Sequence, residues 1–298
     1  MQAGDIGSVR PASRAACDPV SLAEAARCLA FTDLAFWLRR PAHFEEEPDL
    51  ADRFRGAFGR GLEQLAGDGS IAPAADAREL HGLLFSGETA RETARPFVFR
   101  IDVRSDRIKV VLRLFGAAAN YWSAAEAAFA ATCARGVALK QNSKHRLQFE
   151  VLMTEHHACA GLPVSAVPQR ATMLFRTPLA IRKGGHTNAS LGTLPVNIAE
   201  RLKRLLAWQG VMLEYDRRML LQISGRLKLD QHELRWQSWT RHSSTTPAGG
   251  MPIGGFVGAL RITGDLQPVW PLFCVGAITH AGGETALGLG RYDLLAGV

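Results

Sequence analysis

The chain has 298 residues, 47% of them hydrophobic, enough to bury a full core and long enough for two units of ordinary size. Lys and Arg number 35 against 28 Asp and Glu, a net charge of +7, and most of the cations are arginine, whose planar fork suits bidentate phosphate contacts. No apolar run reaches the roughly 18 residues of a membrane-spanning helix, and the first residues lack a signal peptide's apolar core, so a cytoplasmic protein without a membrane partner is expected. The five cysteines are far apart and form no CxxC, which argues against a zinc site or a disulfide framework.

Residues 1–20 read as a Pro-, Ser- and Ala-rich lead. "RCLAFTDLAFWL" from Arg27 has the apolar content of a first strand, followed by the polar loop "RRPAHFEEEPD". In "LADRFRGAFGRGLEQLA", Phe54, Phe58, Leu62 and Leu65 recur at helical spacing, with Arg53, Arg55 and Arg60 among the remaining positions. "PFVFRIDVRSDRIKVVLRLFG" alternates apolar and charged residues around Ser105-Asp106 and predicts a hairpin. An Ala-rich helix over 117–135 and a strand "HRLQFEVLM" over 145–153 close the first half, and "EHHACAGLPVSAVPQ" over 155–169 reads as a linker.

The same order then returns. "ATMLFRTPLAIRK" predicts a strand, "NIAERLKRLLAWQGVMLEY" an amphipathic helix, "LRWQSWTR" and "GGFVGALRITG" two strands, "VWPLFCVGAIT" an apolar helix and "LGRYDLL" a last strand. Two βαββαβ units in tandem give an α+β protein of two ferredoxin-like domains, with expected bounds 1–160 and 161–298.

The segment "GGFVGALRITGDLQPVWPLFCVGAITHAGGETALGLGRYDL", Gly254 to Leu294, resembles the carboxy-terminal signature of the CRISPR repeat-processing endoribonucleases of the repeat-associated (RAMP) superfamily. "FRGAFGRGL" at 54–62, "LFRTPLAIRKGG" at 174–185 and "WTRHSS" at 239–244 are similar to further family segments. Glu284 stands where the family pattern has Lys, His242 where it has Tyr and Arg60 where it has His; these departures, with the wealth of Arg, suggest a divergent branch such as the type IV systems.

The resemblance implies a metal-independent ribonuclease with no cofactor. It would cleave CRISPR repeat RNA beside a stem-loop and stay on the product as a subunit of an effector complex. The alternative is a non-catalytic RNA-binding subunit of the same superfamily. Cleavage in this family is by attack of a ribose 2′-hydroxyl on the adjacent phosphate, which calls for a base, an acid and cations around the phosphorane. Histidine suits the first two roles because its ordinary pKa of about 6.5 lies near neutrality.

His43, beside Arg39 and Arg40, lies in the loop where the family often places its catalytic histidine; His242, beside Arg241, and His280 at the entry to the Gly-rich loop are the other candidates. Arg39, Arg40 and Arg241 are candidates to stabilise the phosphorane, and the two segments are expected to face one cleft between the domains. For RNA binding, the basic positions are Arg53, Arg55 and Arg60 on the first helix, Lys140, Lys144 and Arg146 in "ALKQNSKHR", and Arg201, Lys203 and Arg204 on the second amphipathic helix. Glycines 282, 283, 288 and 290 are expected to offer backbone amides to phosphate, with Arg291 at the rim. Trp236 and Trp239, three apart on a strand, should point to opposite faces, and His156 with His157 lack further ligands at metal spacing.

Overall fold

A computed structural model of the chain describes residues 19–67, 74–85, 94–139, 145–163, 165–183, 186–187, 191–241 and 250–297, with no side-chain placement for 182–187. The first half runs α1 (Leu22–Cys28), β1 (Ala30–Arg39), α2 (Leu50–Gly67), α3 (Ala74–Phe85), β2 (Phe97–Val103), β3 (Arg107–Phe115), α4 (Trp122–Arg135) and β4 (Val151–Ala160). The second runs β5 (Arg170–Leu179), a two-residue pair β6 (Arg182–Lys183) and β7 (His186–Thr187), α5 (Leu194–Leu206), α6 (Arg217–Gly225), β8 (Lys228–Arg241), β9 (Met251–Thr263), α7 (Trp270–Thr279) and β10 (Tyr292–Gly297).

Each half closes an antiparallel four-stranded sheet, in the orders β2-β3-β1-β4 and β10-β5-β9-β8. Numbered within its own unit, each reads 4-1-3-2, the order that two βα crossovers around a central hairpin produce. This is the tandem ferredoxin-like architecture expected from the sequence.

In β1, Leu34, Phe36 and Leu38 face α2 and α4, where Phe36 stacks on Phe129 at 4.0 Å between ring centroids and Phe54 follows at 5.8 Å from the same ring. The opposite alternation, Asp33, Ala35, Trp37 and Arg39, lies on the other face of the sheet. The second core gathers Met173, Phe175, Leu202, Leu260, Phe273 and Tyr292, and it also takes in Ala25, Ala26, Phe31 and Phe115 from the first half. Thus α1 and one end of the first sheet pack into the second unit.

Several expectations are corrected. Arg27 and Cys28 end a short helix rather than begin a strand, because Ser21 and Glu24 form a capping box that fixes its start. The strand placed at 145–153 runs instead over 151–160, so the first six residues read as linker, with His156 and His157, belong to β4. β4 is an edge strand whose residues are mostly exposed, so the apolar alternation that marks β1 is missing from it. His156 stacks against Trp122, ring centroids 4.5 Å apart. Helices α3 and α6 were not anticipated, and the helix expected over 197–215 stops at Leu206, beyond which a short 3-10 turn ends at Gly210 with φ of 71°. As expected, Trp236 and Trp239 diverge. Trp236 is exposed against the edge of Phe256, whereas Trp239 packs on Ile253 and its neighbours.

Candidate RNA-processing site

The Gly-rich segment is built into the seam between the two halves. Thr177, at the end of β5, donates its hydroxyl to Gly288 O at 2.8 Å and accepts the Arg291 amide at 2.9 Å. Pro178 O accepts the Gly290 amide at 2.9 Å, Ala180 O that of Gly283 at 2.6 Å, and Thr285 O that of Gly288 at 3.0 Å. The expectation that these glycines offer their amides to phosphate is therefore corrected at Gly283, Gly288 and Gly290, whose N–H groups are spent on the protein's own carbonyls. What the glycines provide is close approach at positive φ. A Cβ on Gly282 would stand 2.5 Å from Ala180 O, and one on Gly288, where φ is 83°, would stand 2.5 Å from the Ala51 side chain in α2.

Arg291 is no rim residue either. It is buried, donates to Ile101 O at 2.8 Å and pairs with Asp102 at 2.5 Å, so it clamps the loop to β2 of the other half.

His280 lies at the C-terminal end of α7, buried, with φ of 61° and Nδ1 3.1 Å from Leu289 O. That carbonyl can only accept, so Nδ1 carries the proton. Arg113 donates to Ile278 O and Arg201 to Thr279 O, each at 2.7 Å, and satisfy the carbonyls that the helix end leaves over. Burial, with Arg201, Arg113 and Arg291 nearby, holds the His280 pKa well below its ordinary value. The His280 ring is buried and engaged with Leu289 O, so the structure gives it a loop-holding place rather than the RNA-facing position expected of an acid or base. Arg201 is likewise buried and serves α7; Lys203 and Arg204 on the same helix are exposed.

On the other side of the Gly-rich loop, Arg241 at the end of β8 reaches Asp52 in the first turn of α2 through Nε and Nη2, at 2.6 and 3.2 Å. Arg55 lies 3.7 Å from the same carboxylate, its guanidinium 5.2 Å above the Phe85 ring and its Nε buried without a hydrogen-bond partner. Burial, followed by the charge of Arg95, brings the Arg55 pKa down to about 10. Arg95 donates to Leu84 O at 2.5 Å, and Glu284 contributes the second negative charge near Arg55 and Arg95. Three arginines thus crowd around two carboxylates. Arg95 and Asp52 were not anticipated; nothing in the sequence near Arg95 marks it, and Asp52 reads only as an acidic residue in a helix's first turn.

A cleft of about 270 Å³ adjoins the segment that leads into α2. His43, Glu45 and Glu47 line one side, and His145 and Arg146 the other. Arg53 pairs with Asp49 at 2.7 Å and donates to Ala138 O at 3.3 Å, which ties α2 to the segment leading into that side. His43 and His145 therefore share one cleft; the sequence pattern around His145, a basic loop running into an expected strand, does not mark it as a site residue.

Arg40 braces this end of the sheet, donating to Arg104 O at 3.1 Å and to Phe44 O at 3.3 Å. Arg39 is turned away, paired at 2.5 Å with Glu150 at the surface. Arg60 is exposed on α2. His242, Lys140 and Lys144 lie outside the described residues.

Residues 173–292 match the family model of the CRISPR-associated endoribonuclease Cas6. A Cas6 solved as a product complex is 16% identical, with a TM-score of 0.55 over 90% of this chain and 100% of its own. The fold is that of Cas6. Thermus thermophilus Cas6 superposes at 13% identity and a TM-score of 0.53, covering 90% of this chain and 99% of its own. A Cas6-related protein from Pyrococcus furiosus gives 12% and 0.51, covering 89% and 98%. No curated protein sequence matches the chain. The resemblance read from residues 254–294 is thus to the family whose model and fold the chain matches, and the segment it rests on lies almost entirely within the matched range.

Proposed function

We propose that the protein is a metal-independent endoribonuclease that cuts CRISPR repeat RNA beside a stem-loop and keeps the product, as a subunit of an effector complex. One observation carries the reading. The Cas6-matching half delivers Arg241 to Asp52 and the Gly-rich loop to Ala51, both in the first turn of α2, and the segment leading into that helix lines the cleft shared by His43 and His145. Relatives solved with product and with a substrate mimic support a site for the repeat itself.

In the proposed reaction a neutral imidazole takes the proton of the ribose 2′-hydroxyl, and its oxygen bonds to the adjacent phosphorus. The bond from phosphorus to the 5′-oxygen breaks, and a protonated imidazole gives that oxygen its proton, leaving a 2′,3′-cyclic phosphate and a 5′-hydroxyl. We assign these steps to His43 and His145, which line one cleft, with His242 the candidate that follows Arg241 in sequence. A positioned acid or base contributes on the order of 10²–10⁴-fold. Arg241, Arg55 and Arg95 would meet the charge that builds on the phosphorane; held by Asp52, Glu284 and Leu84 O before RNA arrives, they need little rearrangement to do so. The exposed Arg60, Arg146, Lys203 and Arg204, with the half-buried Arg53 and with Lys140 and Lys144, would track the stem by its phosphates.

Incubation of end-labelled repeat RNA with the protein in EDTA tests the proposal. A single cut ending in a cyclic phosphate is expected; tight binding without a cut would instead favour a non-catalytic RAMP subunit.

A further inference from the structure

The face of the first sheet turned away from α2 and α4 carries a feature that the cleavage site does not use. Trp37 lies on the central strand β1, opposite Lys109 of β3 and Met153 of β4. The Lys109 ammonium stands 4.5 Å from the centre of its ring, and the guanidinium carbons of Arg104 and Arg107 stand 5.3 and 5.8 Å away. Half of the cation–aromatic contacts among the described residues converge on this one indole. The ring is half-buried, whereas Arg104, Arg107 and Met153 are exposed.

The other end of the same face is closed. Arg113 pairs with Asp33 there and reaches Ile278 O of α7, and Phe31 enters the second core. Among the described residues, the Trp37 end has no such cover. Asp106 and Glu155 pair with Arg107 and Lys109, so the cations are oriented as well as supplied.

Single-stranded nucleic acid is held by this combination: a base stacks on an aromatic face while nearby cations meet the phosphates on either side of it. An aromatic residue on a central strand of a four-stranded ferredoxin-like sheet is also where RNA-recognition domains stack bases. An apolar protein partner would leave Arg104, Arg107 and Lys109 desolvated beside two carboxylates, whereas an RNA strand provides counter-charges.

We propose that the open end of the first sheet is a second RNA site, which binds single-stranded RNA flanking the stem-loop by stacking a base on Trp37 between Arg104, Arg107 and Lys109. The proposal rests on the reading of the protein as an RNA enzyme, and its test is separable from that reading.

The test is binding of a short labelled oligouridine, which has no stem, to the full chain by fluorescence anisotropy. Trp37→Ala should weaken it about ten-fold or more, Trp37→Phe should retain most of the affinity, and cleavage of a repeat stem-loop without tails should continue at the parental rate. Arg104→Ala with Arg107→Ala, both at an exposed turn, should weaken oligouridine alike and guards against misfolding of the Trp37 variants. Parental affinity in Trp37→Ala and in the double Arg variant, or no oligouridine binding by the wild type, would overturn the site, and parental affinity would leave the face to a protein partner. Trp37-dependent oligouridine binding by a protein that never cuts would keep the site and overturn the endonuclease reading.

Discussion

Arg241 and Asp52 are 189 residues apart and form a bidentate pair, 2.6 and 3.2 Å, with both side chains largely withdrawn from solvent. The pair ties β8 of the second half to the first turn of α2 in the first, and the carboxylate also faces Arg55. Removing the carboxylate leaves two buried guanidinium groups short of their counter-charge. Asp52→Ala should therefore cost about 3 kcal/mol in chemical denaturation, and Asp52→Ala combined with Arg241→Ala should cost less than the sum of the single changes. Additive losses would show that the two side chains do not interact.

The Gly-rich loop predicts a ranking of substitutions. A Cβ at Gly290, where φ is 70°, would stand 1.7 Å from Ala281 O, a backbone atom that cannot step aside. At Gly288 the nearest atom is the Ala51 side chain. Gly290→Ala should lower the melting temperature more than Gly288→Ala, and RNA affinity should fall in the same order, since both act by displacing the loop from its seat. If Gly288→Ala, Gly288→Val or their Gly290 counterparts melt and bind as the parent does, the loop is not held as described.

His280 predicts a pH effect. Its pKa in the folded protein is held well below the ordinary 6.5 by burial and by three arginines, so the unfolded chain takes up a proton that the folded one refuses. Its contribution to stability is complete above about pH 6.5 and is lost as the pH falls below that value toward the folded pKa, with a slope on the order of 1.4 kcal/mol per pH unit. Denaturation between pH 7 and 5 should show a shallower decline for His280→Asn, whose amide can still donate to Leu289 O. Equal slopes would mean that the ring is protonated in place.

The architecture was legible where local pattern and tertiary role agree. The hairpin of β2 and β3 has an apolar alternation buried on one face and a Ser-Asp turn, and α2 presents Phe54, Phe58 and Leu62 at helical spacing to the core. β4 was misplaced because an edge strand with exposed His156 and His157 carries no such alternation. α3 buries Leu80, Leu83 and Leu84, but its small alanines give a weak apolar stripe. The candidate site was legible in kind and not in assembly. Arg241 and His43 were read from their neighbours in sequence, whereas Asp52, Arg95 and His145 matter through contacts between distant segments. Conversely, Arg201, His280 and Arg291 looked available as charged or titratable groups near a motif, and folding consumed them in helix-end and inter-half hydrogen bonds.

Binding to the repeat stem-loop should depend steeply on salt, because each Lys or Arg on a phosphate releases counterions. Filter binding across a range of KCl should give a log–log slope of several units for the wild type. Reversal of Arg60, Arg146 and Arg204 to Glu should flatten it. A flat dependence in the wild type would rule out a basic surface along the stem.

Cleavage and affinity should separate at the cleft. His43→Ala, His145→Ala and Arg241→Ala should each slow single-turnover cleavage on the order of 10²-fold or more while leaving stem-loop affinity within a few-fold, since one contact among many adds little to ground-state binding. His280→Asn, away from RNA, should cut at the parental rate wherever it is folded. Parental rates in all three variants would move the active site to the segment around His242.

The most direct measurement compares, in EDTA, single-turnover cleavage of repeat RNA with cleavage of the same RNA carrying a 2′-deoxy sugar 5′ to the scissile phosphate. Attack by the 2′-hydroxyl predicts a cut and a cyclic phosphate with the first substrate, and tight binding without a cut with the second. Equal cleavage of the two, or no cleavage of the first without added metal, would contradict the account.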